Sequence, residues 1–307
     1  MQKEVTMKFE PKELFPEDYE MLKEYFLMRN AGTCENIILD TYIWKNYYNT
    51  HYMNFGKGIV WLYSNKDEVF TWTPLAKPED LREGFDYVKR YFNEVLGQKL
   101  KMYLVDEEAV QILNLPEDQY IVEEDRNYFD YVYDAEKLRN LSGKKYHKKK
   151  NHVNAFLKEY DGRYDFRLMC CMEQGQVQDF LDQWKEARDI EDEYNRVDYE
   201  IEGIKYVLNH CHMLKMRMGG VYIDDKLEAF SIGSYSEAEK TAYIHVEKAN
   251  PEIRGLYPFI NREFLREGFE NAEFVNREDD MGLEGLRKAK MSYHPVKLVK
   301  KYNIIER

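Results

Sequence analysis

TAYIHVEKANPEIRGLYPFINREF, residues 241–264, changes its period across one short turn. Up to Ala249 the residues alternate as on a strand, with Ala242, Ile244 and Val246 on one face and Tyr243, His245 and Glu247 on the other. From Tyr257 the apolar residues recur at helical spacing. Between the two lies Arg254-Gly255, a basic residue and a glycine just before a helix.

The surrounding chain extends this strand–turn–helix unit. Before it come a lysine-rich helix over 144–160, a strand at FRLMCC (166–171), helices over 175–190 and 201–215, and a hairpin over 219–236 turning at Asp224-Asp225-Lys226. After it come a strand at AEFVN (272–276), a helix over 282–292 and a last strand at VKLVKKYNI (296–304). The first half has the same rhythm. It opens with a strand over 7–14, has helical periods over 16–30 and 35–48, strands over 51–64 and 68–75, and a helix over 81–96. A strand at 101–105, a short helix near 107–115 and strands near 120–124 and 129–134 complete it. The predicted class is α/β (α+β), with mixed, mainly antiparallel sheets covered by helices. A chain of 307 residues is long for one core, and the expected division is 1–133 and 134–307.

Composition excludes several function classes. With 44% apolar and 33% charged residues the chain is neither disordered nor membrane-spanning, and no apolar run approaches the roughly 20 residues a membrane helix needs. MQKEVTMKFEPKELF has no apolar centre of the kind a secretion signal carries. The four cysteines form no CxxC pair and read as reduced thiols of a cytoplasmic protein. His210-Cys211-His212 offers metal-capable side chains without a partner cluster, so no metal is expected. Residues 1–133 carry 15 Lys+Arg against 25 Asp+Glu, whereas residues 134–307 carry 30 against 32. An acidic first half disfavours wrapping of DNA and leaves room for a local anion site in the second.

Three stretches carry a family resemblance: LSGKKYHKKKNHVNAFLKEY (141–160), HVEKANPEIRGLYPFINREF (245–264) and VNREDDMGLEGLRKAKMSYHPVK (275–297). Together they resemble the family typified by the C-terminal domain of phosphatidylglycerol lysyltransferases. That family is similar to the Fem-type aminoacyltransferases. The resemblance implies a tandem GNAT fold and an acyltransferase. Its co-substrate would be an aminoacyl-tRNA, as in Fem-like enzymes, or an acyl-CoA, as in ordinary GNAT enzymes, with no permanently bound cofactor.

The candidate residues sit in these stretches. On the lysine helix, Lys149 and Lys150 fall at the edge of a stripe made by Tyr146, Val153, Leu157 and Tyr160, where they either cover apolar surface or meet donor phosphates. Glu247 and His245 are candidate bases for the acceptor's proton. By resemblance Arg254 and Gly255 stand where GNAT enzymes hold pyrophosphate, although Leu256-Tyr257-Pro258 replaces the family's second glycine. Glu278 and Asp279 could hold a substrate amine, and Asp280 is a further candidate base; an acidic loop of this kind also serves as a solvated helix cap. Resemblance makes Tyr293 a candidate acid, with Arg287 and Lys290 on phosphate or a polarised carbonyl.

The leading expectation is aminoacyl transfer, from aminoacyl-tRNA, to an amine or hydroxyl acceptor that is a small molecule, a peptide or a lipid. The alternatives are an acyl-CoA-dependent N-acyltransferase and a non-catalytic binding protein that retains the fold.

Overall fold

The computed structural model describes residues 9–186 and 196–307. The last four residues of the helix predicted over 175–190 and the first two of the strand predicted over 7–14 lie outside this range. Two compact units share the chain. One takes the described residues up to Ala31, Trp44–Arg126 and Lys300–Arg307; the other takes Gly32–Ile43 and Asn127–Val299.

In the first unit the strand Gly58–Ser64 is buried on both faces through Tyr63 and pairs antiparallel with His51–Asn54, which pairs in turn with Lys12–Glu13. A second sheet sets Lys301–Glu306 between Lys101–Asp106 and Tyr120–Glu124. The helix Leu81–Arg90 buries Leu81, Phe85 and Val88, one stripe at helical spacing, in a core with Phe92, Leu100 and Met102. Arg29 meets Asp106 through two hydrogen bonds of 2.6 Å, a buried bidentate pair.

The second unit is built on seven strands in the order Lys297–Val299, Asp130–Asp134, Phe274–Asn276, Thr241–Ala249, Lys226–Ser236, Arg217–Ile223 and Tyr164–Met169. Every neighbouring pair is antiparallel except Thr241–Ala249 with Phe274–Asn276. The expected hairpin is present, with Asp224 and Asp225 at φ 49° and 66°, the left-handed pair that a two-residue turn of this type requires. One face of the sheet carries the helices His147–Glu159 and Leu256–Glu267 over a core of Val153, Phe156, Ala242, Ile244, Ala249, Phe259 and Phe264. Toward the other face lie Gln174–Glu186 and Arg196–Asn209. On the latter packs Ile38–Ile43, so closely that a Cβ on Gly203 would stand 1.8 Å from the Ile43 carbonyl.

Three local expectations change. The strand predicted over 296–304 is two strands, Lys297–Val299 and Lys301–Glu306, in different sheets. The helical period over 35–48 yields only Ile38–Ile43 as α-helix. Cys171 and Cys211 are joined as a disulfide with Cα atoms 5.8 Å apart, leaving Cys34 and Cys170 as free thiols. Their separation of 40 residues has no local signature, because two helix ends bring them together.

Candidate functional site

The sheet opens where its one parallel pair ends. Thr241, Ala242 and Tyr243 pair with Phe274, Val275 and Asn276; beyond Asn276 the chain leaves the ladder while Thr241–Ala249 continues. On the opposite edge of the same strand, Ile232 faces Val246 and Gly233 faces Ile244, so His245 is an extra residue in a β-bulge. That one residue overturns the expected alternation. Ile244 and Ala249 share a core with Phe259, and Glu247 reaches Asn261 of the same helix, whereas Lys248 turns to Glu200 and lies over Trp184. His245 turns to Ser234, Glu278 and the neighbourhood of Asp40. His245 and Glu247 therefore serve opposite faces of the sheet.

On the helix-covered face, Glu247 accepts from Asn261 Nδ2 at 2.8 Å and from Arg277 at 2.8 Å. Burial opposes the Arg277 charge, but Glu247 and the phenols of Tyr293 and Tyr133 more than offset it and hold its pKa above the ordinary value. One guanidinium nitrogen, Nη1, and the Asn261 Oδ1 are buried with no hydrogen-bond partner among the described residues. Arg277 lies 4.7 Å from the centroid of the Tyr293 ring, and Lys149 Nζ lies 3.9 Å from the same centroid. Burial, helped by Arg277 and Lys148, pushes Lys149 down to about 8 despite Glu247. Tyr293 is itself buried, which pushes its phenol up against the pull of Arg277.

The Lys149 shift has a testable sign. In the unfolded chain the lysine keeps its proton to about pH 10.4; when folded it releases it near 8. Between these values the unfolded state binds more protons, so this group's contribution to stability rises with pH. Lys149→Met should therefore be more stable than the parent at pH 7, by up to about 2 kcal/mol after allowing for solvent screening, and lose that advantage by pH 10. Urea titrations at the two pH values read this directly.

Gly255 begins the helix Leu256–Glu267 at φ 85°. A Cβ there would stand 2.1 Å from the His152 carbonyl of the lysine helix. Gly255→Ala should thus destabilise by about 1–3 kcal/mol or more, read as a lower denaturation midpoint, because both the left-handed backbone and the contact forbid a side chain. Arg254 and Lys150 are exposed, so of the paired lysines only Lys149 turns into the cluster.

On the other face, His245 has no exposed side-chain surface. Its Nε2 is 2.8 Å from Ser234 Oγ and its Nδ1 is 2.8 Å from Glu278 Oε1. Burial pushes the imidazole down to about 3, so it is neutral near pH 7. Glu278 sits at φ 58°, its N–H held by Asn276 Oδ1 at 2.7 Å. Ligand-type atoms of Asp40, His245 and Glu278 lie within 4.8 Å of one another, as do those of Cys34, Glu35 and Asp130. Both ring nitrogens of His245 are already hydrogen-bonded, and Asp130 accepts from Cys34 N at 2.8 Å and Asn276 Nδ2 at 2.9 Å.

The rest of the acidic loop is tied to its own backbone and to neighbouring elements. Asp279 accepts from Met281 N at 2.8 Å. Asp280 is buried and accepts from Tyr131, from Gly282 N at 3.0 Å and from Arg287 at 2.8 and 2.9 Å. Burial works against its charge, yet Arg287 and Tyr131 hold its carboxyl below the usual range. Lys290 donates to the carbonyls of Arg277 and Asp279, and burial pushes its pKa down. Arg287 and Lys290 thus shape the loop that presents Arg277 and Glu278.

Sequence reasoning passed over Asn261, Ser234 and Asp40. Asn261 left a signal, a polar residue between Ile260 and Phe264 on a helix that buries both. Ser234 and Asp40 left none, because their neighbours come from other segments.

Residues 29–305 match the family described as phosphatidylglycerol lysyltransferase, C-terminal. The chain belongs to that family. Among solved structures, this lysyltransferase-family chain is similar to a conserved protein of unknown function from Bacteroides thetaiotaomicron VPI-5482, at 26% identity and TM-score 0.86, over 98% of this chain and 100% of that one. L-PGS from Bacillus licheniformis is 12% identical with TM-score 0.70, over 96% and 92% of the two chains. FemX is 9% identical with TM-score 0.59, over 96% of each, a likeness of fold. An uncharacterised protein of Mycoplasmoides gallisepticum is 26% identical over 231 residues, 75% of this chain and 72% of that protein. The tandem GNAT-like fold and an aminoacyltransferase family follow from these matches. Among the described residues no helix of this lysyltransferase-family chain is long and apolar enough to cross a membrane.

Proposed function

We propose that the chain transfers an aminoacyl group from aminoacyl-tRNA to an amine or hydroxyl acceptor, on the face of the sheet that carries Glu247. One observation supports this reading most: a mostly buried carboxylate, Glu247, stands beside two cations and two buried polar atoms, Arg277 Nη1 and Asn261 Oδ1, that have no hydrogen-bond partner among the described residues. Buried polar atoms are rarely left unpaired unless a ligand or water completes them.

In this reading the acceptor attacks the ester carbonyl, and Glu247 takes its proton. Arg277 and Lys149 steady the oxyanion and the donor's phosphate; the ester C–O bond then breaks, and the proton held by Glu247 passes to the departing tRNA oxygen, which leaves as a hydroxyl. Asp279 is held by its own loop and Asp280 by Arg287 and Tyr131, which leaves Glu247 as the better-placed base. Tyr293 acts as the platform that holds both cations. The acyl-CoA alternative rests on Gly255, but its Cα faces the His152 carbonyl rather than open space.

Thermal shift against coenzyme A, acetyl-CoA, charged tRNA and uncharged tRNA, at low and moderate salt, tests the donor. The expected result is a salt-sensitive shift, largest with charged tRNA, and a loss of roughly tenfold or more in affinity when Lys149 and Lys150 are both changed to Ala. A shift with coenzyme A alone would replace the donor. Silence from all four would favour a binding protein that keeps the fold.

A further inference from the structure

Ser234, His245 and Glu278 form a hydrogen-bonded series on the face of the sheet away from Glu247. With Glu278 ionised its carboxylate oxygens only accept, so His245 Nδ1 carries the ring proton and donates across 2.8 Å. Nε2 of the neutral ring is then an acceptor, and Ser234 Oγ, 2.8 Å away, is the donor. A serine hydroxyl aimed at an imidazole whose far nitrogen is fixed by a carboxylate is the arrangement that makes serine a nucleophile.

The supporting geometry is independent of any titration. The three side chains come from two adjacent strands and from the loop after Asn276. The β-bulge at His245 turns the imidazole to this face instead of the face of Glu247. Glu278 is fixed at both backbone ends, its N–H by Asn276 Oδ1 at 2.7 Å and its carbonyl by Tyr131 N at 3.1 Å. A left-handed residue held this firmly is commonly placed for a role. His245 is sealed, whereas Ser234 is partly exposed and is the member a ligand can reach.

We propose that Ser234 is a nucleophile that forms an acyl-enzyme with activated carboxylic esters, giving the chain an ester-hydrolase activity separate from the transfer assigned to Glu247. In the first step Ser234 Oγ bonds to the acyl carbon as the ester C–O bond breaks; the serine proton passes to His245 Nε2 and on to the leaving alcohol. In the second, water bonds to the acyl carbon as the bond from Ser234 Oγ to that carbon breaks; the water proton passes through Nε2 back to Ser234 Oγ, and the carboxylic acid departs. Neither step needs an oxidant, a reductant or a metal, and neither depends on which donor the other face takes.

The full-length protein is treated with a fluorophosphonate probe, digested and mapped by mass spectrometry, and is assayed separately on 4-nitrophenyl acetate. The expected result is a single label on the peptide bearing Ser234 and measurable ester hydrolysis. Ser234→Ala should remove the label and lower hydrolysis by roughly 100-fold or more, and His245→Gln should do the same. Ser236→Ala, two residues along the same strand, should leave both unchanged. The mapping on the parent protein stands even where a variant fails to fold. No label, a label on another residue, or hydrolysis undiminished in a folded Ser234→Ala variant would overturn the proposal.

Discussion

Glu247→Gln is expected to lower aminoacyl transfer by roughly 10²–10⁴-fold while donor affinity stays nearly unchanged. The substitution is a clean probe because the site can absorb it. Glu247 now accepts on both oxygens, one from Arg277 and one from Asn261 Nδ2. A glutamine keeps one acceptor for Arg277 and turns an NH₂ toward Asn261. Rotating the Asn261 amide would present to that NH₂ its Oδ1, which has no partner among the described residues. Shape and hydrogen bonds survive; the capacity to take a proton does not. Transfer of labelled amino acid from charged tRNA to hydroxylamine, a surrogate acceptor, measures the first quantity, and filter binding of charged tRNA measures the second. Equal transfer by parent and variant would move the base away from Glu247. Equal binding without transfer in either would support the binding-protein reading.

The second large effect is on stability. Arg277→Met should cost about 3–5 kcal/mol, because it leaves the Glu247 carboxylate buried without its cation. Glu247 and Arg277 side chains are only 10% and 13% exposed, so water replaces little of what is lost. The flat guanidinium also lies near the rings of Tyr133 and Tyr293, contacts that a methionine meets only in part. Combining Arg277→Met with Glu247→Gln should recover much of the loss, since the stranded charge is then gone. Chemical denaturation of both single variants and the double variant closes the cycle. Additive losses would mean that the two side chains act independently and that the pair is not the electrostatic unit described above.

Much of the frame was legible beforehand because it rests on local rules. The period change across residues 241–264, the Asp224-Asp225 turn and the stripe of Leu81, Phe85 and Val88 each follow from backbone geometry and apolar spacing within a few residues. Lys149 at the edge of its stripe was also readable, and it enters the cluster over Tyr293. Its neighbour Lys150 has the same chemistry one residue on, and a turn of about 100° leaves it in solvent.

The sequence by itself determined most of the strands and helices, the family and the few acidic and basic residues worth testing. The tertiary structure decided which of them meet. One inserted residue in the ladder beside Gly233 sends His245 and Glu247 to opposite faces, and strict alternation has no means of marking it. Arg277 and Glu278 find their partners only because the strand Phe274–Asn276 ends where the sheet opens. Ser234 becomes a neighbour of His245 through strand pairing, and Asp40 through the helix Ile38–Ile43, which packs on Gly203 from far along the chain. Secondary structure is set by neighbours along the chain, whereas a charge pair is set by neighbours across space, and those exist only once the sheet has closed over its core.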